Sequence, residues 1–242
     1  MEKLSLQKIK DLKKLHLKKY RDAQKRLYIE GETLIKDLIK HFPHLIEELI
    51  IENNKALEFE QLEIPLFIAA QNQLEKLTSL KTPKKVNAVV HFPSNQPWEK
   101  GQKALLIDQI QDPGNLGTII RAADWFGIKH LICAPNTVDY LNPKVIHASM
   151  ISSFRVNVSY QNLEFFIKGH LDSTFGAFMD GTDFQKINPD DIDFVLLGNE
   201  GTGISPALEA VIKNRIGIAR KGSGESLNVA VAAGILLQHM TK

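Results

Sequence analysis

From residue 103 onwards the sequence alternates short apolar runs with helix-period segments, and few folds accept that order. Lys103–Asp108, Leu131–Ala134, Phe175–Met179 and Asp193–Leu197 read as strands with little polar alternation, and Ile216–Ile218 is a further candidate. Thr118–Phe126, a segment opening at Pro143–Ser149, and Leu227–Met240 read as helices. The first of these carries Ile119, Ala122, Ala123 and Phe126 at core spacing. Strands apolar on both faces and separated by helices imply an α/β domain with a parallel sheet covered on both sides. In such a sheet, ligands bind where the strands end at their carboxyl side.

Residues 1–95 mix shorter elements. A basic helix is expected near Leu4–Leu17, an apolar-periodic helix at Glu32–His41, and another at Asn72–Leu80. Strands are expected at Glu48–Glu52, Leu66–Ala70 and Val86–Phe92. Pro93-Ser-Asn-Gln-Pro97 is a polar break. The expected division is therefore a first domain over 1–95, a linker over 96–102 and a second domain over 103–242. A chain of 242 residues accommodates two domains.

Charge is distributed unevenly. Ten Lys/Arg fall within residues 1–27 (Lys3, Lys8, Lys10, Lys13, Lys14, Lys18, Lys19, Arg21, Lys25, Arg26) against Glu2, Asp11 and Asp22. That clustering suits a polyanion partner, the plain alternative being a solvated amphipathic helix. The single cysteine, Cys133, forms no internal disulfide, and without a CxxC pair there is no cysteine-based zinc site. The N-terminus has no apolar signal region, and the longest strongly apolar stretch, Val229–Leu237, is too short to span a bilayer. A soluble protein of a reducing compartment is expected, with no membrane partner.

Three polar loops stand out in the second half. Asp108-Gln-Ile-Gln-Asp-Pro-Gly-Asn-Leu-Gly-Thr-Ile-Ile-Arg121 runs from a strand end into a helix. Pro113-Gly114 reads as a turn, and Gly117 permits close backbone approach. Asn115 offers donor and acceptor, and Arg121 presents a planar charged fork, so the two can meet one substrate. The alternative is a helix cap at Asn115 and an ordinary surface arginine. In Leu196-Leu-Gly-Asn-Glu-Gly-Thr-Gly-Ile-Ser-Pro206 a buried strand empties into three glycines. Packing explains these poorly, and a ligand touching the main chain explains them well. Glu200 among them can orient a partner or hold a cation, while Ser205-Pro206 suits a helix start.

The third loop is Ile218-Ala-Arg-Lys-Gly-Ser-Gly-Glu-Ser-Leu-Asn-Val-Ala-Val-Ala-Ala233. Ser223 stands where a phosphate-binding loop needs lysine, and Gly222-Ser-Gly-Glu-Ser is not a GxSxG elbow. Ser226 is expected to cap a small-residue helix, Leu227–Ala233, with Asn228 inside it. An amide there is odd as structure alone and points to a site role.

Taken together, Asn115-x-Gly-x-x-x-Arg121, Leu197-Gly-Asn-Glu-Gly-x-Gly203 and Gly222-x-x-Glu-Ser-Leu-Asn-Val-Ala-Val-Ala-Ala233 resemble, in order and spacing, three motifs of a known family. It is the SpoU (TrmH-like) family of RNA ribose 2′-O-methyltransferases, within the SPOUT superfamily. The resemblance covers roughly residues 103–240. Residues 1–95 resemble, less specifically, the L30e-like substrate-binding domain of many members, through Arg26-Leu-Tyr-Ile-Glu-Gly-Glu-Thr-Leu-Ile35.

The resemblance implies an α/β parallel-sheet SPOUT domain with a deep trefoil knot at its C-terminus, a rare exception to unknotted topology. It also implies a small N-terminal α/β L30e-like domain, a homodimer and a cytoplasmic location. S-adenosylmethionine is the implied cofactor, held around Leu197, Gly198, Asn199, Gly201, Ile218, Ser226 and Leu227. Arg121, Asn115, Glu200, Ser226 and Asn228 would handle the ribose and its phosphate, Arg121 either as base or only as a positioning group. No metal is implied. The partner is structured RNA, with ribosomal favoured over transfer RNA, and its contacts are expected at Lys13, Lys14, Lys18, Lys19, Arg21 and Arg26.

Two departures stand out. Ile218-Ala-Arg220 replaces the frequent Ile-Pro-Met, and Ile151 stands where many members have glycine after Ala-Ser-Met. The competing readings are a transfer-RNA 2′-O-methyltransferase, an inactive RNA-binding relative, a base-modifying SPOUT enzyme and a dinucleotide-binding protein. The last needs GxGxxG after the first strand, where this chain has Asp112-Pro-Gly-Asn-Leu-Gly117. The pairs Asn115/Arg121 and Ser226/Asn228 favour the ribose over a base.

Overall fold

In the computed structural model, which describes residues 2–242, Ser5 follows β1 (Glu2–Lys3) and caps α1 (Leu6–Lys14) by accepting the Lys8 N–H at 3.2 Å. The helix buries Ile9 and Leu12 and turns its lysines outward. It stops at Lys14, and a separate helix α2 (Lys18–Gln24) follows, ending at Lys25 in the left-handed region (φ 54°). The basic helix expected near Leu4–Leu17 is thus the shorter α1, and α2 lies beyond the expected range.

The chain then enters β2 (Arg26–Glu30), a strand the hydrophobic pattern did not announce. Leu27 through Glu30 are all buried, so there is no period-two alternation to read. Glu30 tolerates burial because its carboxylate accepts the hydroxyl of Thr78 (2.5 Å) and both the amide and hydroxyl of Ser79 (2.9 Å each). The unit is completed by α3 (Glu32–His41), β3 (Ile46–Glu52), β4 (Leu66–Ala69), α4 (Gln71–Leu77) and β5 (Val86–His91). Its sheet runs β1-β4-β3-β5-β2, with β1, β4 and β3 parallel and β5 antiparallel to both neighbours.

The chain divides into two compact units, with the boundary between Pro93 and Ser94. One runs up to Pro93 and includes Leu141–Pro143; the other holds Ser94–Tyr140 and Lys144–Lys242. Residues after the boundary lie against the second unit. Asn95 exchanges hydrogen bonds with both backbone groups of Val158, and Trp98 meets Phe166 edge-on at 5.3 Å.

The second unit contains β6 (Ala104–Ile107), α5 (Pro113–Trp125), β7 (His130–Cys133), α6 (Pro143–Ser149), β8 (Asn157–Tyr160) and α7 (Leu163–Lys168). It continues with β9 (Thr174–Asp183), β10 (Phe194–Leu197), α8 (Pro206–Glu209), β11 (Asn214–Gly217) and α9 (Val229–Met240). All six strands pair in parallel, in the order β11-β9-β10-β6-β7-β8. This is the parallel α/β sheet that the apolar runs required; every residue of β6, β7 and β10 is buried. From β6 the chain winds towards β7 and β8, whereas β10 and β9 lie on the other side of β6. The gap beyond the carboxyl ends of β6 and β10 is therefore a topological switch point, where α/β sheets bind ligands. Ile107 pairs with Leu197, so the two strand ends are level.

Residues 157–168 were not assigned by the sequence pattern. β8 is an edge strand exposing Ser159 and Tyr160, and α7 exposes Phe165, so neither has a clean apolar face.

Cys133, at the end of β7, is completely buried, and burial pushes its thiol well above the ordinary range. It should resist an aromatic disulfide reagent in the native protein and react stoichiometrically only after denaturation. Full labelling of the folded protein within minutes would contradict this burial.

Candidate active site

The loop after β6 folds by local capping. Asp112 sits in extended backbone, its Oδ1 accepts the Asn115 N–H at 2.8 Å, and Pro113 fills the first helical position. α5 therefore starts at Pro113, five residues before the expected Thr118, and the cap is Asp112, not Asn115. The Asn115 side chain is left free to act elsewhere. It donates through Nδ2 to Glu200 Oε1 at 2.8 Å. It also accepts, through Oδ1, the Asn228 Nδ2 donor at 3.0 Å. One relay, Asn228–Asn115–Glu200, thus joins all three polar loops at the switch point.

Asn228 plays a second part. It caps α9, its Oδ1 accepting from the N–H groups of Ala230 (2.9 Å) and Val231 (3.4 Å). This corrects the expectation that Ser226 caps the helix with Asn228 inside it: α9 begins at Val229, and Ser226 lies in the preceding exposed loop. Asx and Ser side chains cap equally well, so an S-x-N pair does not by itself reveal which one does.

The second loop is a tight turn closed on itself. Asn199 and Gly203 exchange backbone hydrogen bonds at 2.9 and 3.0 Å. Asn199 Oδ1 accepts the N–H groups of Gly201 (2.9 Å) and Thr202 (3.2 Å), and its Nδ2 donates to the Gln109 carbonyl at 2.8 Å. Asn199, expected at the cofactor, is committed here to shaping the loop and tying it to the first one. Gln109 meets it in left-handed backbone (φ 57°).

Among the described residues, no hydrogen bond joins Arg121 or Ser226 to the relay, and both are exposed. Among the described residues, the backbone N–H and C=O groups from Ala219 to Ser226 likewise find no backbone partner. Arg220 reaches across this loop, donating Nη1 to the Gly224 carbonyl at 3.3 Å. At the other departure, buried Ile151 adopts φ 68°, the backbone a glycine would take without strain.

Two features of the site escaped the sequence reading. Asp108, 2% exposed, accepts the Ser205 N–H at 2.7 Å and so pins the loop after β6 to the start of α8. A buried carboxylate across 97 positions leaves no local signal. The second is a bulge in β9. Its pairing to β11 jumps from Gly176 to Thr182, which loops out residues 177–181. A Cβ at Gly181 would lie 2.3 Å from the Ile216 carbonyl carbon, so the bulge presses directly on β11, the strand leading into the third loop.

In the first unit, Lys13, Lys14, Lys18 and Lys19 are exposed, Lys14 and Lys18 beside Asp11 (2.8 Å) and Asp22 (3.1 Å). Arg26 is partly covered and paired with Glu47 at 2.8 Å. Arg21 does not fit the expected RNA contact. It is 3% exposed and donates Nη1 to the carbonyls of His16 (2.9 Å) and Leu15 (3.4 Å), holding the turn between α1 and α2. Among the described residues, no group of three or more His, Cys, Asp or Glu is placed to hold a metal ion, and no helix is long and apolar enough to cross a membrane.

Residues 102–238 match the SpoU rRNA Methylase family, and residues 7–88 match the MRM3-like substrate binding domain. The 23S rRNA (guanosine(2553)-2'-O)-methyltransferase RlmP of Bacillus subtilis is 33% identical over 245 residues, covering 99% of this chain and 98% of its own. Among solved structures, a TrmH-family protein from Porphyromonas gingivalis superposes with a TM-score of 0.82 at 31% identity, covering 98% of each chain. An AdoMet-bound rRNA methyltransferase from Sinorhizobium meliloti superposes with a TM-score of 0.81 at 26% identity, covering 99% of this chain and 97% of its own.

Proposed function

The chain belongs to the SpoU rRNA methylase family, and from that premise we propose that it methylates a ribose 2′-hydroxyl of ribosomal RNA in the cytoplasm. It is an S-adenosylmethionine-dependent RNA ribose 2′-O-methyltransferase. The observation that carries the reading is the Asn228–Asn115–Glu200 relay, which gathers the three motif loops at the sheet's switch point.

The residues present fit the cofactor. Adenine and an amino-acid headgroup need hydrogen-bond donors and acceptors at close range, and the loop from Ala219 to Ser226 offers backbone groups of both kinds that no other backbone group engages. Leu197, Gly198, Gly201, Ile218, Ser226 and Leu227 would hold it, with Asn199 shaping the turn. When bound, it supplies an electrophilic methyl group on a sulfonium. What remains for the protein is to bind and orient the acceptor, where proximity and alignment provide most of the acceleration. Arg121 binds the adjacent phosphate through its fork, and its charge favours ionisation of the neighbouring hydroxyl. Asn115, held by Glu200 on one side and Asn228 on the other, presents a fixed polar edge to the ribose, with Ser226 two residues before Asn228.

Methyl transfer from labelled S-adenosylmethionine to unmodified ribosomal and transfer RNA, followed by nuclease digestion, tests the reading. Label in a 2′-O-methyl nucleotide of ribosomal RNA is expected. Label confined to transfer RNA would overturn the substrate, and cofactor binding without any transfer would overturn the activity.

The exposed lysines of α1 and α2 provide sequence-independent affinity. Four phosphate contacts correspond to a fall in RNA affinity of roughly 50- to 150-fold between 50 and 200 mM salt. Replacing Lys13 and Lys19 with alanine should flatten the log–log slope by about 1.5. A slope unchanged in the variant would remove these residues from the interface.

The reading includes a deep trefoil knot at the C-terminus and a homodimer. Supporting the dimer, Leu227 just before α9 and Val231 in its first turn each have about half of their surface exposed (52% and 51%), an apolar pair suited to a second copy. Sedimentation equilibrium should return twice the chain mass; a monomer at micromolar concentration would remove this part of the proposal.

A further inference from the structure

Residues 177–181, looped out of β9, pair with neither β10 nor β11, yet they touch the ends of two of the polar loops. A Cβ at Gly217, the last residue of β11 before the third loop, would lie 2.8 Å from the Phe178 carbonyl oxygen and 2.9 Å from that of Gly181. The backbone of the segment thus clasps that strand end at two points. The Phe178 side chain packs against the core cluster that holds Ile204, Leu208 and Ile212. Its ring, Ile212 and Ile204 all crowd Gly176, where a Cβ would lie 2.6, 3.1 and 3.3 Å from them. Ile204 follows directly on Gly203, the residue that closes the second loop. The segment is therefore a wedge between the second loop and the third.

One side chain holds the wedge. Arg215 pairs with Gly176 at the point where the register jumps. Its guanidinium lies 3.6 Å from the centre of the Phe178 ring, while Nη2 donates to Asp180 and Nη1 to Glu209 of α8, each at 2.7 Å. A planar cation can stack through its face and donate through its edge at the same time, which an ammonium cannot. Phe178 and Asp180 belong to the wedge, Glu209 to the helix that the second loop leads into, and Arg215 to the strand that leads into the third. The side chains of Arg215, Asp180 and Glu209 are 35%, 76% and 46% exposed, and ion pairs this open contribute little to folding. Their effect is on geometry.

We propose that Arg215 is a positioning residue for cofactor binding, fixing the looped-out segment 177–181 and so setting the gap between the second and third loops. This rests on the reading of those loops as the S-adenosylmethionine site. Without the guanidinium the segment gains freedom that binding must then remove, so cofactor affinity falls while the fold stays.

Arg215→Met keeps an apolar stem on Phe178 and removes both ion pairs. Calorimetric titration with S-adenosylmethionine should place its affinity about 10-fold below native, the size expected of two open ion pairs and one cation–π contact acting together. Arg215→Lys keeps the charge without the fork and should fall between the two. The thermal midpoint of the cofactor-free protein should stay within about two degrees of native, and KM for RNA should not move. Adding Asp180→Asn to Arg215→Met should weaken binding no further, because both changes remove the same contact. Native cofactor affinity in Arg215→Met would overturn the proposal. A weaker affinity joined to a midpoint several degrees lower and an equal rise in KM for RNA would overturn it too, by assigning Arg215 to the fold at large. A native chain that binds no S-adenosylmethionine would overturn the reading of the two loops, and this proposal with it.

Discussion

Arg121→Lys is expected to lower kcat/KM for methyl transfer by about two orders of magnitude or more, with no change in thermal midpoint. The side chain is exposed and makes no hydrogen bond among the described residues, so the fold does not depend on it. The substitution preserves the charge and removes the planar fork. A guanidinium can hold two phosphate oxygens at once and fix their orientation, whereas an ammonium is a single point charge on a flexible stem. If the role is geometric, charge alone will not rescue it. The loss should fall mainly on kcat, because an acceptor bound in varied orientations seldom reaches the line of attack. A loss confined to KM would mean that Arg121 contributes general phosphate affinity. Activity within threefold of the native chain would remove it from the site.

What could be read from the sequence was whatever local chemistry records. Strands apolar on both faces announced the parallel sheet, and the three glycine- and amide-rich loops are the ones that converge at its switch point. Asn228 stands out in the sequence because an amide is odd there, and it meets Asn115 and Glu200, whereas Arg121 and Ser226 of the same expected set stay outside the relay. Tertiary contacts defeated the rest. Arg21 counts as a surface cation in any tally of charge, and only the turn between α1 and α2 makes its burial worthwhile. The β9 bulge has no signature because its residues continue the strand pattern while the pairing partner skips ahead. Asp108 looks like an ordinary loop acid until Ser205 is brought to it across the sheet.

Gly198→Ala should reduce methyl transfer below about one-hundredth of native and weaken cofactor binding at least tenfold, for a steric reason visible in the backbone alone. An added Cβ would lie 2.2 Å from the Gly203 carbonyl carbon and 2.3 Å from the Ile204 amide nitrogen. Both neighbours are main chain, so no rotamer change relieves the contact. The turn must open, which breaks the Asn199–Gly203 pair and moves Glu200 away from Asn115. Overpacking of this kind costs about 1–3 kcal/mol, a drop of several degrees in the midpoint for a chain of this size. Gly201→Ala is the matched control. A Cβ there meets only Asn199 Oδ1, at an ordinary 3.6 Å, so that variant should keep the turn and the native thermal midpoint, and any loss of activity it shows reads the cofactor contact alone. Each change adds a single methyl group to the same loop, so a difference between the two variants isolates the turn's shape from its composition. Should Gly198→Ala retain half of native activity, the second loop cannot be the rigid cradle on which the site is built.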